Sequence, residues 1–432
     1  MKHRTVLLST LLILAGVAAW WLGFRTAPQV SGPLRHEVYV WQRAWSEPVR
    51  NAVAQHATNF SALALLKAEV SWKDKKPQVV RVAPDYATLA GTHRPFGIAL
   101  RIGPYAGPFV GSPEAGTPAA TITLFLCNLA ASLVAEARTN HADLSELQID
   151  FDCAESKLDG YRTWLTAIQA RVAPLPVTIT ALPSWLNART FPRLAAAAPN
   201  YVLQVHSVAR PTDIHAPFTL CDPRAAQRAV ERAGRIGVPF RVALPTYGYL
   251  IAFDKSGKFL GLSAEGPRRN WPEGAQLREV ATDPLAMATL VQNWTARRPA
   301  VMRGVIWYRL PTIVDNFNWR WPTLGAIVAA RFPQEAIRVE ARRVEAGLVE
   351  INLVNAGELD FSSRLAVEVR WTKARLIAGD ALRDFELADR SLSAARFQTK
   401  SQPCRLPAGD RLALGWLRLD PDCEVRCELK KL

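Results

Sequence analysis

Short apolar runs alternate with longer segments of mixed polarity between residues 35 and 330. The runs have the length of strands, and the segments between them are long enough for helices. Strands are predicted at residues 37–42, 62–68, 96–102, 147–152, 177–182, 201–206, 240–244 and 305–308. Helices are predicted at residues 119–138, 160–173, 223–236 and 284–297.

Strands that alternate with helices predict a parallel sheet, and eight such units predict a closed (β/α)8 barrel of the TIM type over residues 35–332. An open, doubly wound sheet is the alternative. No glycine-rich GxGxxG or GKS/T turn follows any predicted strand, so a nucleotide-binding fold is not indicated. The predicted fold class is therefore α/β.

The pattern changes near Pro333, where helical periodicity becomes weak. Residues 335–432 contain alternating or β-branched segments, which predict a small antiparallel β-domain of the sandwich type. Within the barrel, residues 249–276 separate the last two strands and are too many for a simple turn. We expect them to form a lid or a hairpin over the site.

Basic residues at positions 2–4 precede an apolar run through residues 5–24. Residues 1–25 are therefore expected to direct export, either as a signal peptide cleaved near residues 17–19 or as an uncleaved membrane anchor. The Trp-Trp pair at 20–21 and Arg25 are typical of an interfacial anchor and favour the second alternative. The rest of the chain is then expected to be periplasmic, with the membrane as a partner of this segment.

The 432 residues carry a net charge of +15. Their Arg and Lys residues are scattered rather than gathered into one stripe with aromatics, so no nucleic-acid partner is predicted. The six cysteines lie outside any CxxC pair, so neither a metal site nor another cofactor is predicted. Export permits disulfides, and the candidate pairs are Cys127 with Cys153, and Cys404 with Cys423 or Cys427.

Two carboxylates interrupt the apolar fourth strand, in the segment 147–152 (LQIDFD). Residues i and i+2 of a strand point to the same side, so Asp150 and Asp152 share one face. An ionised carboxylate away from water is costly unless it is paired, hydrogen-bonded or neutralised. The pair therefore predicts the floor of a polar site, with an ion-pair network that stiffens the barrel as the structural alternative.

In a parallel barrel, functional groups come from the carboxyl ends of the strands. Those ends are polar and aromatic here, and aromatics beside charged groups suit a carbohydrate polymer. Individually, however, the tryptophans are as well explained by packing, and the histidine by a hydrogen bond at the rim. The candidate substrate-binding residues are Trp41, Arg43, Arg101, Gln204, His206, Trp307 and Arg309.

Three segments resemble a known family: DFD at 150–152, PTYGY at 245–249 and GVIWYRLP at 304–311. They are similar, over most of residues 35–330, to an uncharacterised family of exported bacterial proteins with the domain-of-unknown-function number three-one-four-two. The same strands resemble, more remotely, the chitinase-like barrels of glycoside hydrolase family eighteen. Those enzymes carry Asp-x-Asp-x-Glu on strand four. The Glu protonates the glycosidic oxygen, and the middle Asp orients the substrate's N-acetyl group.

This resemblance implies roles for single residues. Asp150 matches the first Asp of that motif, Asp152 the middle Asp, Tyr247 the tyrosine of strand seven and Trp307 the aromatic platform of strand eight. The acid does not carry over, because the position two residues beyond Asp152 is occupied by alanine.

The nearest carboxylate is Glu155, which is one residue out of phase, and a slip of one residue reverses the face of a strand. Two functions therefore stay open. One is a glycoside hydrolase with Asp152 or Glu155 as acid, Asp150 as electrostatic partner and Tyr247 as a donor to the transition state. The other is a catalytically inactive glycan-binding or scaffold barrel of the cell envelope.

Overall fold

The computed structural model describes residues 27–74, 76–109, 118–140, 143–207, 210–263 and 270–432. The predicted export segment, residues 1–25, lies outside the described residues. The description below therefore begins with the segment that leads into the barrel.

Eight parallel strands form a closed barrel. Each strand pairs with the next along the chain, and the eighth pairs with the first, so the predicted TIM-type fold is confirmed and the open sheet is excluded. The strands are β1 (Arg35–Val40), β2 (Leu63–Lys73), β3 (Phe96–Ile102), β4 (Leu144–Phe151), β5 (Val177–Ala181), β6 (Tyr201–Gln204), β7 (Phe240–Pro245) and β8 (Met302–Tyr308).

Helices cover the outside of the barrel. The α-helices are Glu47–His56, Tyr86–Thr92, Pro118–Thr139, Leu158–Val172, Phe191–Ala196, Pro223–Ile236, Pro284–Ala296 and Trp321–Val328. Short 3₁₀ helices are Ala57–Asn59, Glu155–Lys157 and Pro183–Asn187. The helices that start at Pro223 and Pro284 have a proline in the first turn and an N-cap aspartate, Asp222 or Asp283, whose side chain accepts backbone N–H bonds.

The helix between β3 and β4 is apolar enough, over Ala120–Thr139, to cross a membrane by length and composition. In the structure it is a layer of the barrel, because its buried residues Leu126, Ala130 and Leu133 belong to the barrel's own hydrophobic core. Its apolar character is therefore explained by packing.

Side-chain alternation divides the strands into two faces. The face toward the helices is apolar, as Val38 and Val40 of β1 and Ile149 of β4 show by their complete burial. The face toward the barrel axis is largely polar and includes Tyr39, whose hydroxyl donates a 2.6 Å hydrogen bond to Gln148 Oε1. Polar side chains therefore line both the interior of the barrel and its mouth.

An antiparallel sheet of three strands is inserted between β7 and β8. Its strands are Gly248–Phe253, Phe259–Ser263 and Gln276–Ala281. The segment predicted as a lid or hairpin is thus a small sheet with its own apolar cluster, which includes Ile251 and Phe253. Two further pairings are a hairpin of Lys76–Arg81 with β2, and Gln29–Val30 with Arg298–Pro299.

The C-terminal region is made of antiparallel strands, in agreement with the predicted fold class. One sheet contains Ile337–Glu345, Leu348–Asn355, Arg411–Asp420 and Arg375–Ala381. The other contains Phe385–Arg390, Ala394–Thr399, Leu365–Trp371 and Val425–Lys431, and a short ladder joins Phe361–Ser363 to Cys404–Leu406. Side chains from both sheets, such as Ile351 and Val367, share one core that is separate from the barrel's.

All six cysteines are free thiols, so both predicted disulfide pairings are wrong. Cys127 lies on the helix between β3 and β4, while Cys153 follows β4. Cys404 lies in the short ladder, whereas Cys423 and Cys427 lie at the last strand of the other sheet. The members of each predicted pair are held on different elements.

Candidate active site

A cavity of about 530 Å³ opens at the carboxyl ends of the barrel strands. This is the end at which TIM barrels carry their functional groups. Its lining comprises aromatic residues, charged residues and a remainder of small polar and apolar residues, namely Tyr39, Trp41, His206, Tyr247, Tyr249 and Tyr308; Arg43, Arg101, Asp150, Asp152 and Arg210; and Thr180, Val202, Gln204, Ser207, Ala243, Leu262 and Ser263. The last two belong to the inserted sheet, which therefore forms part of the cavity wall.

Asp150 is positioned by the strands on either side of β4. Thr180 Oγ1 of β5 donates a 2.8 Å hydrogen bond to Asp150 Oδ1, and Arg101 Nε of β3 lies 3.8 Å from Asp150 Oδ2. Burial raises the pKa of this carboxyl, while the charge of Arg101 and the bond from Thr180 oppose the shift. Asp150 is therefore a held carboxyl group at the floor of the cavity.

Asp152 lies one step further along the same face and is accessible to solvent within the cavity. Desolvation by the surrounding protein raises the pKa of its carboxyl to about 6, repulsion from Asp150 adds to the shift, and attraction by Arg101 opposes it. A carboxyl group with such a pKa exchanges its proton near neutral pH. It therefore has the property that a general acid or base needs.

Arg43, Glu69, Arg101 and Asp150 stand at the ends of four adjacent strands, β1 to β4, with charges that alternate in sign. Arg43 donates hydrogen bonds to the Glu69 carboxylate through Nε and Nη2. Arg101 is held more loosely, since its Nη1 lies 3.7 Å from Glu69 Oε1, beyond hydrogen-bond distance. Arg43 and Arg101 therefore place positive charge beside Asp150 and Asp152.

The aromatic side of the cavity is built around Tyr308. Its ring centroid lies 5.4 Å from those of Trp41 and Tyr247, 5.5 Å from that of His206 and 5.7 Å from that of Tyr39. Trp41 is 4% exposed. It therefore supports Tyr308 more than it faces the cavity.

A chain of polar groups runs behind this aromatic side. His206 Nδ1 lies 3.2 Å from Tyr247 Oη, which lies 3.1 Å from Tyr249 Oη, which lies 2.7 Å from Ser207 Oγ. Burial lowers the pKa of His206 to about 3 and raises that of Tyr247 well above its usual value. Both side chains are therefore neutral near pH 7 and act through hydrogen bonds rather than charge.

Three predicted site residues, Trp307, Arg309 and Glu155, lie outside the cavity lining. Trp307 is fully buried on the outer face of β8, where its Nε1 donates to His36 Nδ1 at 3.1 Å. Arg309 is buried and its Nη2 donates to Asp315 Oδ1 at 2.8 Å. Glu155 is exposed in the first turn of a 3₁₀ helix.

For Trp307 the physical reason is side-chain alternation. Tyr308 lines the cavity, so its strand neighbour Trp307 points to the outer face, whereas Arg309 follows the end of β8 and Glu155 lies in a 3₁₀ helix. The structure brings the other predicted residues into one lining, namely Trp41, Arg43, Arg101, Asp150, Asp152, Gln204, His206 and Tyr247.

Sequence reasoning missed several lining residues. Tyr39 and Thr180 follow from the same period-two rule, because they share a face with Trp41 and with Thr178 on their strands. Ser207 and Arg210 lie in the segment after β6, where no periodic pattern marks them. The alternation rule is the signal that was available, and it applies only within strands.

The chain has similarities to solved structures and to two protein families. No curated protein matches the sequence of this chain. Among solved structures, the spore cortex-lytic enzyme SleL of Bacillus megaterium QM B1551 shares 14% identity and a TM-score of 0.49, over 70% of this chain and 75% of that chain. A chitinase of Chromobacterium violaceum ATCC 12472 shares 15% identity and a TM-score of 0.46, over 69% of this chain and 98% of that chain.

The fold itself rests on the closed strand order described above. Residues 338–420, in the C-terminal region, match the family described as "Domain of unknown function (DUF8456)". Residues 123–313 match the family described as "Domain of unknown function (DUF3142)", so the family resemblance predicted from the three sequence segments is confirmed for this part of the barrel.

Proposed function

We propose that this protein is a glycoside hydrolase that acts on an extracytoplasmic polysaccharide, with Asp152 as its general acid. The observation that carries the proposal is the pair of carboxyl groups in the cavity. Asp150 is fixed by Thr180, and Asp152 is solvent-accessible with its pKa raised to about 6. Hydrolysis of a glycosidic bond needs one carboxylic acid that donates a proton and a second negative group that stabilises the charged ring.

Asp152 suits the first role because its protonated form persists close to neutral pH. Asp150 suits the second role because its position is held by hydrogen bonding and by Arg101, and a fixed charge stabilises a transition state without reorganisation. The hydroxyl of Tyr247, held between His206 and Tyr249, is the proposed donor to the reacting sugar.

The aromatic side supplies a surface for the sugar. Tyr308 is partly exposed in the cavity and is backed by Trp41. Sugar rings present apolar C–H faces that pack on aromatic rings, while their hydroxyls bond to polar groups such as Gln204. The cavity therefore combines the two kinds of contact that bind a carbohydrate.

A second candidate function is glycan binding without hydrolysis. The observation in its favour is that alanine occupies position 154, two residues beyond Asp152, and that Glu155 is exposed outside the cavity lining. The acid expected from the chitinase-like pattern is thus missing, and aspartate has a shorter side chain than glutamate. If Asp152 cannot reach the glycosidic oxygen, the cavity binds and does not cleave.

The test is a hydrolysis screen over neutral and acidic polysaccharides, followed by Asp152→Asn. We expect the substitution to reduce turnover by roughly 10²- to 10⁴-fold, the usual contribution of a general acid. Asp159→Asn, an exposed aspartate on the following helix, is the matched control and should leave turnover unchanged. Thermal unfolding of both variants should resemble that of the parent protein.

Binding of a polysaccharide that neither the parent protein nor Asp152→Asn cleaves would support the second candidate. Absence of both binding and cleavage would overturn the proposal of a glycan site. The extracytoplasmic location is part of the proposal and is supported by the apolar run at residues 5–24 after basic residues. Cell fractionation of the full chain, with and without residues 1–25, tests it.

A further inference from the structure

Two arginines in the cavity have guanidinium N–H groups that donate no hydrogen bond to any residue that the structure describes. Arg101 has ion-pair contacts with Glu69 at 3.7 Å and Asp150 at 3.8 Å, but it forms no hydrogen bond with any residue that the structure describes. Arg210 is exposed and forms neither a hydrogen bond nor an ion pair within the described residues. Each guanidinium has five N–H donors in one plane, so the cavity offers many donors to a ligand.

The position of Arg101 relates these donors to the carboxyl pair. Arg101 on β3 is in direct register with Asp150 on β4, so a group bound by Arg101 lies beside the proposed reaction centre. Its side chain is 45% exposed, which leaves the guanidinium within reach of a ligand in the cavity. Arg43 is bound to Glu69 and contributes positive charge from the neighbouring strand.

The charges of the site favour an anionic ligand. Three arginines and two aspartates line the cavity, and Glu69 stands behind Arg43 and Arg101. A general acid must carry its proton when the substrate binds. With Asp152 protonated, the three positive charges therefore exceed the two remaining negative ones, and the site attracts anions.

We propose that the cavity binds a glycan whose sugars carry carboxylate groups, and that Arg101 and Arg210 bind those carboxylates. The planar fork of an arginine matches a carboxylate in two parallel hydrogen bonds, which a sugar hydroxyl cannot accept in the same way. The inference rests on the proposed function of the cavity as a glycan site and adds the charge of its substrate.

The test compares an acidic and a neutral oligosaccharide of similar size, in two pairs. Tetragalacturonate and its methyl ester form one pair, and a hyaluronan tetrasaccharide and N-acetylchitotetraose, of similar size, form a second. Isothermal titration with the full chain at about 0.15 M salt limits attraction by distant surface charges, since screening then acts over about 8 Å. We expect the acidic member of at least one pair to bind about tenfold more tightly or better, the usual gain from a charge-assisted hydrogen bond.

The arginine variants then locate the effect. In Arg101→Gln/Arg210→Gln the preference for the acidic member should fall to about twofold or less, because the fork is lost while polar size is kept. Arg228→Gln is the matched control, since Arg228 is exposed on the helix Pro223–Ile236 and lies outside the cavity lining. It should keep the full preference.

Three outcomes decide between the inferences. Tighter binding of the neutral members would overturn the charge inference and leave the proposed glycan site intact. An acidic preference that survives in the double variant would overturn the assignment to Arg101 and Arg210. If neither the parent protein nor the double variant binds any of the four probes, the result would count against the glycan site and therefore also against this inference.

Discussion

Both ends of the barrel place arginines beside carboxylates, but the two ends use them differently. At the amino end, Arg241 of β7 donates to Glu37 Oε2 at 2.5 Å, to Glu146 at 2.7 and 2.9 Å, and to Asn200 Oδ1 at 3.2 Å. At the carboxyl end, Arg101 lies 3.7 and 3.8 Å from its carboxylates. Both Nη atoms of Arg241 are hydrogen-bonded to side chains, whereas Arg101 forms no hydrogen bond with the residues that the structure describes.

The exposure of the arginine side chains also differs between the two ends of the barrel. The Arg241 side chain is 10% exposed, whereas that of Arg101 is 45% exposed. At the amino end, the Glu146 side chain packs closely on β3, because a Cβ added at Gly97 would lie 2.8 Å from Glu146 Cγ. In this barrel, the charged groups at the carboxyl end are the more exposed and the less completely hydrogen-bonded, as expected of a functional site.

The largest effect that separates the two ends should come from their arginines. Arg241→Met removes the positive partner of two buried carboxylates, so we expect it to lower the free energy of unfolding by about 3–5 kcal/mol. Arg101→Met should lower it by about 1 kcal/mol or less, because a partly exposed ion pair contributes little. Chemical denaturation of both variants measures the difference. Equal losses of stability would show that the cluster at the carboxyl end is structural as well.

A second contrast lies within one strand, between Trp307 and Tyr308. Trp307→Ala should lower the free energy of unfolding by about 3–5 kcal/mol, because it empties a fully buried site. Tyr308→Ala should lose affinity for the glycan with a smaller loss of stability, since Tyr308 lines the cavity. Thermal unfolding and ligand titration of the two variants measure both quantities. The reverse pattern would place Trp307 at the binding surface after all.

These contrasts show what the sequence predicts and what it does not. All eight strands follow from apolar runs, and the helix Pro223–Ile236 was predicted with its observed bounds, because periodicity and caps are local signals. The direction in which a side chain points near the end of a strand is harder to predict from the local sequence. Trp307 was predicted as the platform from its resemblance to the tryptophan of strand eight in the chitinase-like barrels, whereas alternation decides whether Trp307 or Tyr308 points inward.

The partners of a charge are not visible in the sequence either. Glu37, Glu146 and Arg241 come from β1, β4 and β7, and only the closed barrel brings them together. The cysteine pairings were wrong for the same reason, since spacing along the chain does not give the distance between elements. Contacts between residues that are far apart in the sequence are therefore not predicted by the sequence alone.

The pH dependence of turnover should be set by Asp152, which lies at the carboxyl end of the barrel. The pKa of its carboxyl is raised from 3.8 to about 6, so the protonated acid is lost as pH rises through about 6. We expect turnover to fall with an apparent pKa near that value, which the pH profile of kcat/KM measures.

Stability should change in the same window. The raised pKa favours the folded protein below pH 3.8, and this contribution disappears as the pH rises to about 6. The difference in unfolding free energy between the parent protein and Asp152→Asn should therefore change between these two values and stay constant above them. A flat difference would mean that the carboxyl group titrates normally.

The smallest effect should come from Glu155, which belongs to neither cluster. It is exposed in the first turn of the 3₁₀ helix Glu155–Lys157 and lies outside the cavity lining. Glu155→Gln should therefore leave turnover nearly unchanged and alter the free energy of unfolding by less than about 0.5 kcal/mol, the range of ordinary surface substitutions. Parallel assays with Asp152→Asn measure this. Loss of turnover in Glu155→Gln alone would move the proton donor from the strand to the following turn, and the carboxyl end of the barrel would then have to close over that turn when it binds a glycan.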